Sequence, residues 1–305
     1  MTSRIPMRRL TVAATLMLAV AVADTAAARD RKDCERDYKP QVGQAGKDVV
    51  WVPTPDELVQ RMLRMAKVTP QDIVYDLGAG DGKIAIAAGK LGATSVGIEY
   101  NPDMAKLAGC LVDAEGVAAR TRIIQGDIFK EDFSKATVVT MYLLPELNLC
   151  VRHRLLAMKP GTRVASHQFT MGDWDADETS EIEYRTAYLW IVPARVDGTW
   201  ALKDGNSAVT VNLTQTFQKL SGEVVGGAGK QPLVGASLRG DQLKFAFNDD
   251  KGVTRTFNGT VKGTELVGTL KSGSTETKVT GALQGSLRAA AWAEMLPQCG
   301  RFYGK

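Results

Sequence analysis

The chain has 305 residues, of which 44% are hydrophobic and 24% are charged, with a formal net charge of +4. This composition is that of a folded globular protein and excludes a disordered chain, and the length allows two domains. Arg4, Arg8, Arg9 and Asp24 supply +2 of the net charge and lie in a segment that we expect to be removed. The remaining +2 gives no electrostatic argument for a nucleic-acid partner.

The first residues have the order of an export signal. Arg8 and Arg9 precede an apolar stretch over residues 10–23, and Ala26-Ala27-Ala28 offers a small-residue cleavage site. We expect residues 1–28 to be a signal peptide and the mature protein to be exported to the periplasm or cell envelope. An uncleaved anchor is the alternative, although the apolar stretch is shorter than the roughly 20 residues of a membrane span. If the signal is not used, the protein stays in the cytoplasm.

Residues 49–196 alternate short apolar runs with helical segments, which predicts an α/β sheet of parallel strands. The segment Thr54-Pro55-Asp56-Glu57 predicts a helix start, with Thr54 as the cap and Glu57 completing a capping box. Helices are also expected over 83–90 and 103–115. The predicted strands are residues 73–76, 95–99, 122–125, 137–142, 163–167 and 184–192.

After Pro193 the pattern changes to short alternating strands separated by glycine. Gly240 and Gly263 occupy equivalent places in two similar segments, Leu238-Arg-Gly-Asp-Gln-Leu and Val261-Lys-Gly-Thr-Glu-Leu, which predicts two hairpin turns. We expect a small antiparallel meander or barrel. The predicted division is therefore a signal peptide (1–28), an N-terminal segment (29–48), an α/β domain (49–196) and a glycine-rich β domain (197–305).

The four cysteines are widely spaced. Cys34 and Cys299 lie near the two ends of the mature chain, and an oxidising compartment would allow a disulfide between them. Cys110 and Cys150 lie in apolar helical segments and are predicted to be buried as small hydrophobic side chains. With no Cys-x-x-Cys pair, two histidines and no carboxylate cluster beside them, the sequence predicts no metal site.

A glycine-rich loop follows the first predicted strand of the sheet. It reads Asp76-x-Gly78-x-Gly80-x-Gly82, and its glycines permit a tight turn and a close approach of ligand to backbone. The spacing differs from the Gly-x-Gly-x-x-Gly of dinucleotide-binding loops. Asp76 and Asp81 would repel a pyrophosphate but would attract the amino group of a methionine moiety. The loop therefore predicts S-adenosylmethionine (SAM) as the cofactor rather than NAD.

Two further acids follow the next two strands. Glu99 ends the second strand, where such an acid hydrogen-bonds ribose hydroxyls. Asp127 follows the third strand and is placed to accept a hydrogen bond from the adenine amino group, while Ile128 covers the ring. Each acid alone would most often be a surface residue. Their order after successive strands makes the set specific.

Four segments resemble class I SAM-dependent methyltransferases, and more narrowly the family that contains the ATP synthase c-subunit lysine methyltransferase. They are residues 51–55, 76–88, 97–102 and 161–169. The resemblance covers about half the chain and implies a Rossmann-like seven-stranded sheet with the cofactor at the carboxyl ends of the strands. It also implies a protein lysine as the methyl acceptor.

Candidate acceptor-site residues follow the fourth and fifth strands. Tyr142 is placed to hold a substrate ammonium by cation–π contact, the alternative being a tyrosine packed in the core. A lysine, with a pKa of about 10.4, must lose a proton before it can react. His167 is either a proton acceptor or a hydrogen-bonded strand histidine. Asp173 and Trp174 follow in a loop that is expected to wall the acceptor site.

The sequence thus predicts a SAM-dependent methyltransferase that acts on a protein lysine, with a membrane protein among the candidate substrates. The same fold would serve a small-molecule methyltransferase. A third hypothesis is a binding module of the cell envelope that keeps the fold without turnover. SAM is made in the cytoplasm, and an exported domain would lack a supply of it unless the domain folds with the cofactor inside or the signal is not used.

Overall fold

The computed structural model describes residues 30–204, 207–226 and 229–303. The predicted signal peptide lies outside the described residues. In the described part, no helix has both the length and the hydrophobicity needed to cross a membrane.

The first half of the chain forms a seven-stranded sheet. Its order is β3-β2-β1-β4-β5-β7-β6, with β1 to β5 parallel and β7 antiparallel to both of its neighbours. This confirms the sheet that the family resemblance implied. The carboxyl ends of the five parallel strands meet at one edge, where the loops after β1, β2, β3 and β4 come together. The strands are β1 (Ile73–Leu77), β2 (Thr94–Glu99), β3 (Thr121–Gln125), β4 (Val138–Met141), β5 (Arg163–His167), β6 (Glu178–Ile182) and β7 (Arg185–Ile191).

Helices α2 to α5 pack on the sheet and bury apolar side chains against it, whereas α1 packs on α4. In α4, Pro102 takes the first turn and the Asn101 side chain caps it by accepting from the backbone N–H groups of Asp103 and Met104. The predicted helix over residues 83–90 is confirmed. The helices of this half are α1 (Arg31–Asp37), α2 (Asp56–Met65), α3 (Lys83–Lys90), α4 (Pro102–Ala114) and α5 (Pro145–Leu156).

One local prediction is wrong, and one strand was not predicted. Helix α2 begins after Pro55 without a side-chain cap, because the Thr54 hydroxyl is hydrogen-bonded to His167 instead. The predicted capping box is therefore absent. The strand expected over residues 184–192 is confirmed as β7, which is the second arm of a hairpin whose first arm, β6, was not predicted. Strand β6 is an edge strand with mostly polar side chains, so it has no apolar run that a sequence pattern could detect.

The second half forms a nine-stranded antiparallel sheet, as expected for a β domain. Gly240 and Gly263 have φ angles of +61° and +62° in two-residue hairpin turns, which confirms both predicted turns. Trp200, Phe245 and Phe257 are fully buried in its core. The strands are β8 (Gly198–Asp204), β9 (Ser207–Thr216), β10 (Lys219–Gly226), β11 (Gly229–Pro232), β12 (Val234–Arg239), β13 (Gln242–Asn248), β14 (Thr254–Lys262), β15 (Glu265–Ser272) and β16 (Thr275–Gln284). Strand β10 also lies against β12, so the sheet curls toward a barrel.

The C-terminal segment leaves the nine-stranded sheet and returns to the first half of the chain. In α6 (Gly300–Tyr303), the ring of Phe302 stacks on Phe129 at 4.9 Å between centroids. The Tyr303 hydroxyl donates to the carbonyl of Cys150 in α5 at 2.7 Å. These contacts bind the end of the chain to the seven-stranded part.

The cysteine expectations are corrected by the structure. Cys34 pairs with Cys110, and Cys150 pairs with Cys299. The first disulfide joins α1 to α4, and the second joins the C-terminal segment to α5. Cys34 and Cys299 do not meet, because each packs instead against a different helix of the first half. All four cysteines lie in the described residues and all are bonded.

Candidate cofactor and acceptor site

A pocket opens at the carboxyl ends of the parallel strands. The loops after β1, β2, β3 and β4 form its floor and sides. Residues 44–54, which we call the strap, form its cover; the strap contains a small turn closed by the Ala45 to Val50 bridge. The pocket lies where the sheet topology places ligands in open α/β folds.

The loop after β1 needs glycine at two positions. Gly78 and Gly80 have φ angles of +75° and +56° and line the pocket. A Cβ on Gly78 would lie 2.9 Å from Leu143 Cδ2, and a Cβ on Gly80 would lie 2.7 Å from Nε1 of Trp51 in the strap. The loop is therefore a close-fitting cradle in which any side chain would collide with the pocket wall.

Gly82 has a different role from the predicted one. It does not line the pocket, and it precedes α3 with a φ angle of +78°. A Cβ there would lie 3.1 Å from Ala108 Cβ in α4. Gly82 thus permits close packing of the turn against α4. The prediction that Gly82 contacts the cofactor is corrected, since its role is in this packing.

Asp76 lies at the bottom of the pocket and is only 2% exposed. Its Oδ1 accepts a hydrogen bond from Thr140 Oγ1 at 2.8 Å. Burial, with the nearby charges of Asp81 and Glu99, raises the pKa of Asp76 to about 7. A cationic group beside this carboxylate would offset the free-energy cost of its buried negative charge, so the position favours an ammonium ligand.

Glu99 is held by the backbone of two loops. Its Oε2 accepts from the N–H of Gly80 and its Oε1 from the N–H of Asn101, both at 2.8 Å. Burial raises the pKa of Glu99, and this effect outweighs the backbone hydrogen bonds, which lower it. Each carboxylate oxygen has a second lone pair, so the side chain can accept from two ligand hydroxyls while it keeps both backbone bonds.

Asp127 and Ile128 line the opposite end of the pocket. Asp127 Oδ1 accepts from the N–H of Phe129 at 3.0 Å, and its Oδ2 accepts from Nζ of Lys47 at 2.9 Å. The Lys47 ammonium also lies 4.7 Å from the centroid of the Tyr100 ring. Lys47 belongs to the strap, and the sequence interpretation missed it because the segment before Trp51 carries no recognised motif.

This donor set fits SAM. Because β1, β2 and β3 are neighbours in that order, their acids Asp76, Glu99 and Asp127 follow one another across the sheet. This order matches the amino group, the ribose hydroxyls and the adenine amino group of that molecule. Tyr100 and Ile128 offer flat apolar surface beside the third acid. The glycine cradle leaves space that a Cβ would fill.

The remaining wall of the pocket is aromatic and apolar. Tyr142, Leu143, Leu144 and Phe169 line it, and the rings of Tyr142 and Phe169 are 6.1 Å apart. Tyr142 is half-buried, and burial raises the pKa of its hydroxyl. This arrangement places the Tyr142 ring in the same pocket as Asp76.

His167 lies behind Tyr142 and does not line the pocket. It is 2% exposed, and its ring centroid is 3.7 Å from that of Tyr142. Burial, and secondarily the charge of Arg185, lowers the pKa of His167 to about 4. This is the position of a hydrogen-bonded strand histidine, and such a weak base is unsuited to take a proton from an ammonium group.

Trp174 does not wall the acceptor site. It is fully buried, stacks on Phe217 of the β9–β10 turn with 6.0 Å between ring centroids, and packs against Trp190. Neighbouring Asp173 forms an ion pair with Arg152. The expectation is therefore corrected: the loop packs against the second sheet, because large aromatic side chains there exclude Trp174 from solvent.

Comparison with known proteins places the chain in a family. The model of the ANTKMT methyltransferase domain matches residues 76–178. A protein-lysine N-methyltransferase of Saccharolobus islandicus is 42% identical over 151 residues, which are 47% of this chain and 94% of the relative. The ATP synthase c-subunit lysine N-methyltransferases of Xenopus laevis and Homo sapiens are 31% and 28% identical over 42% and 43% of the chain. The chain spans 56% of the length of each of these two animal relatives.

Among solved structures, an RNA methyltransferase from Salinibacter ruber in complex with S-adenosyl-L-homocysteine is 47% identical. The match covers 48% of this chain and 96% of that one, with a TM-score of 0.47. The assignment depends on the archaeal relative, which the chain covers almost from end to end at 42% identity. The chain therefore belongs to the family of SAM-dependent methyltransferases that the ANTKMT methyltransferase domain defines.

Proposed function

We propose that this protein transfers a methyl group from SAM to the side-chain nitrogen of a lysine in another protein. The observation that carries the proposal is the composition of the pocket. Three acids that fit SAM, Asp76, Glu99 and Asp127, which we call the carboxylate row, line the same pocket as the aromatic side chains of Tyr142 and Phe169, which suit an ammonium group. Relatives of the chain that are named as protein-lysine N-methyltransferases support a protein lysine as the acceptor.

The acids of the pocket orient the cofactor. Asp76 pairs with its amino group, Glu99 accepts from its ribose hydroxyls and Asp127 accepts from its adenine amino group. When bound, SAM supplies a methyl group on a sulfonium, which is already an activated electrophile. The protein therefore contributes mainly alignment of the two reactants.

The acceptor lysine enters beside Tyr142. The face of the Tyr142 ring holds the ammonium by cation–π attraction. Leu143, Leu144 and Phe169 surround it with apolar surface, which disfavours the charged form and lowers the pKa of the amine. The proton leaves to solvent, and the neutral nitrogen forms its bond to the methyl carbon as the carbon–sulfur bond breaks.

The experiment is methyl transfer from tritiated SAM by the purified full chain to proteins of a cell extract, followed by complete hydrolysis and amino-acid analysis. We expect the label in methylated lysine, and a loss of labelling with Tyr142→Leu. Label recovered in RNA or in small molecules, with none in lysine, would contradict the proposal.

We also propose that the protein is exported and acts on proteins of the cell envelope, including membrane proteins. The arginine pair, apolar stretch and alanine cleavage site at the N-terminus support export. Two disulfides between distant segments support an oxidising compartment. N-terminal sequencing of the protein from fractionated cells should give Arg29 in the periplasmic or envelope fraction. An N-terminus at Met1 in the cytoplasmic fraction would overturn this.

A further inference from the structure

The hydrogen bond between Thr54 and His167 joins the strap to the sheet. The two residues are 113 positions apart, and Thr54 Oγ1 lies 3.0 Å from His167 Nδ1. Both side chains are buried, with 6% and 2% exposure. Thr54 precedes Pro55, the N-cap residue of α2, and makes no cap bond to that helix. The hydroxyl is therefore committed to His167.

His167 also contacts Tyr142. The two rings are in contact, with centroids 3.7 Å apart and an interplanar angle of 31°. Tyr142 lines the pocket, whereas His167 does not. Because the imidazole is neutral at neutral pH, it adds no positive charge behind the ring that receives the ammonium. A neutral flat ring held in one orientation is suited to restrict the rotation of Tyr142.

The same strap also covers the cofactor end of the pocket. Trp51 lies over Gly80, and Lys47 pairs with Asp127. Thr54 is the last residue of the strap. One short segment therefore contacts Asp127 at the adenine end, Gly80 in the glycine cradle, and His167, which packs against Tyr142.

We propose that Thr54 and His167 are positioning residues that fix the Tyr142 ring, so that the strap covering the cofactor also sets the shape of the acceptor site. This inference rests on the proposed function of Tyr142. It assigns no chemical step to His167, which acts through the ring that it supports.

The first test is a substitution series at Thr54 with ligand binding as the readout. Thr54→Val removes the hydroxyl with little change in volume, and Thr54→Ser restores it. The control is Thr162→Val, since Thr162 is also buried and its hydroxyl bonds the Lys159 carbonyl away from the pocket. The probe is n-butylammonium, which has the shape and charge of a lysine side chain, titrated with S-adenosyl-L-homocysteine (SAH) at saturation; neutral n-butanol is the matched control ligand.

With SAH at saturation, we expect Thr54→Val to weaken n-butylammonium binding about threefold or more, as the loss of one hydrogen-bonded support predicts. Thr54→Ser should restore it, and Thr162→Val should leave it unchanged. Equal binding by Thr54→Val and wild type, or an equal loss with Thr162→Val, would overturn the inference.

The second test observes His167 directly. The chain has two histidines, so imidazole signals from histidine-labelled protein can be assigned by substituting His153. We expect the His167 ring to stay neutral in one tautomer from pH 8 to 5.5, and its shifts to change in Thr54→Val and in Tyr142→Leu. Ring signals insensitive to both substitutions would refute the positioning role. If the His167 chemical shifts change in both variants but the wild-type protein transfers no methyl group to lysine, the proposed function is wrong while the contact of His167 with Thr54 and Tyr142 is confirmed.

Discussion

The ammonium of Lys47 lies 2.9 Å from Oδ2 of Asp127, the acid at the adenine end of the pocket. The same ammonium sits over the Tyr100 ring at 4.7 Å from its centroid. In the proposed binding mode, Asp127 accepts from the adenine amino group and the Tyr100 ring packs against the adenine ring. Lys47 is also a residue of the strap, so the strap and the cofactor share the same partners.

Lys47→Met should tighten SAH binding. The Lys47 ammonium competes with adenine for Asp127 and for the Tyr100 ring, and an ion pair that is partly exposed contributes up to about 1 kcal/mol. We expect a gain of roughly threefold in affinity by calorimetry. Lys39→Met, on an exposed lysine just before the strap, is the control and should have no effect. Weaker binding by Lys47→Met would show instead that Lys47 holds the cofactor.

The pKa of Asp76 makes cofactor binding depend on pH. Because burial raises this pKa to about 7, the carboxyl group gains a proton as the pH falls below neutrality. A protonated Asp76 no longer attracts an amino group. Calorimetric titrations of wild type should therefore show SAH affinity decreasing from pH 8 to pH 6. An affinity that is constant over this range would contradict the assignment of Asp76.

Asp76→Asn should stabilise the fold at high pH while it weakens SAH binding. The folded state binds the Asp76 proton more tightly than the unfolded state, so between the unfolded pKa of about 4 and the folded value of about 7 stability falls as pH rises. Asparagine removes this cost, which is on the order of 4 kcal/mol above pH 7. Thermal unfolding should show a higher Tm than wild type at pH 8 and a smaller difference at pH 5. An unchanged or lower Tm at pH 8 would mean that the buried charge is compensated.

Gly80→Ala should weaken cofactor binding at a modest cost in stability. Gly116 is a matched control, since its φ angle of +68° is similar but a Cβ there would meet nothing within 4 Å. Both substitutions should lower the free energy of unfolding by about 1 kcal/mol because alanine is strained at positive φ. Only Gly80→Ala, whose Cβ would collide with Trp51, should weaken SAH binding, by at least about tenfold. Equal SAH binding by the two variants would argue against the cradle.

The two disulfides should have separable effects. Cys34 lies in α1, just before the strap, and Gln44 at the start of the strap hydrogen-bonds the Tyr38 hydroxyl. Replacing Cys34 and Cys110 by serine should lower stability by roughly 2–5 kcal/mol and also weaken SAH binding. Replacing Cys150 and Cys299 should lower stability by a similar amount but leave SAH binding unchanged. Thermal unfolding and calorimetry on both double variants provide the comparison.

The cofactor end of the site was predictable because its signals are local in sequence. Asp76 lies near the end of β1, Glu99 ends β2 and Asp127 follows β3, and parallel strands bring their carboxyl ends together. The glycine cradle was predictable from spacing. Gly82 was misassigned because the same residue type serves close helix packing as well as ligand access.

The rest depended on contacts between distant segments. Thr54 was predicted as a cap from its neighbours, whereas its actual partner, His167, is 113 residues away. Trp174 was placed at the acceptor site, but Phe217 of the second sheet buries it. The cysteine pairing likewise followed helix packing, which the positions of the cysteines along the chain do not encode.

The central claim is that the carboxylate row binds the SAM molecule, and the most direct measurement is calorimetric titration of SAH into wild type and Glu99→Gln. Glutamine keeps the shape but loses acceptor capacity toward the ribose, so the affinity should fall by at least about tenfold. Glu115→Gln, on an acid that pairs with Lys90 outside the pocket, is the control and should bind like wild type. Absence of SAH binding by wild type, or equal binding by Glu99→Gln, would contradict the account.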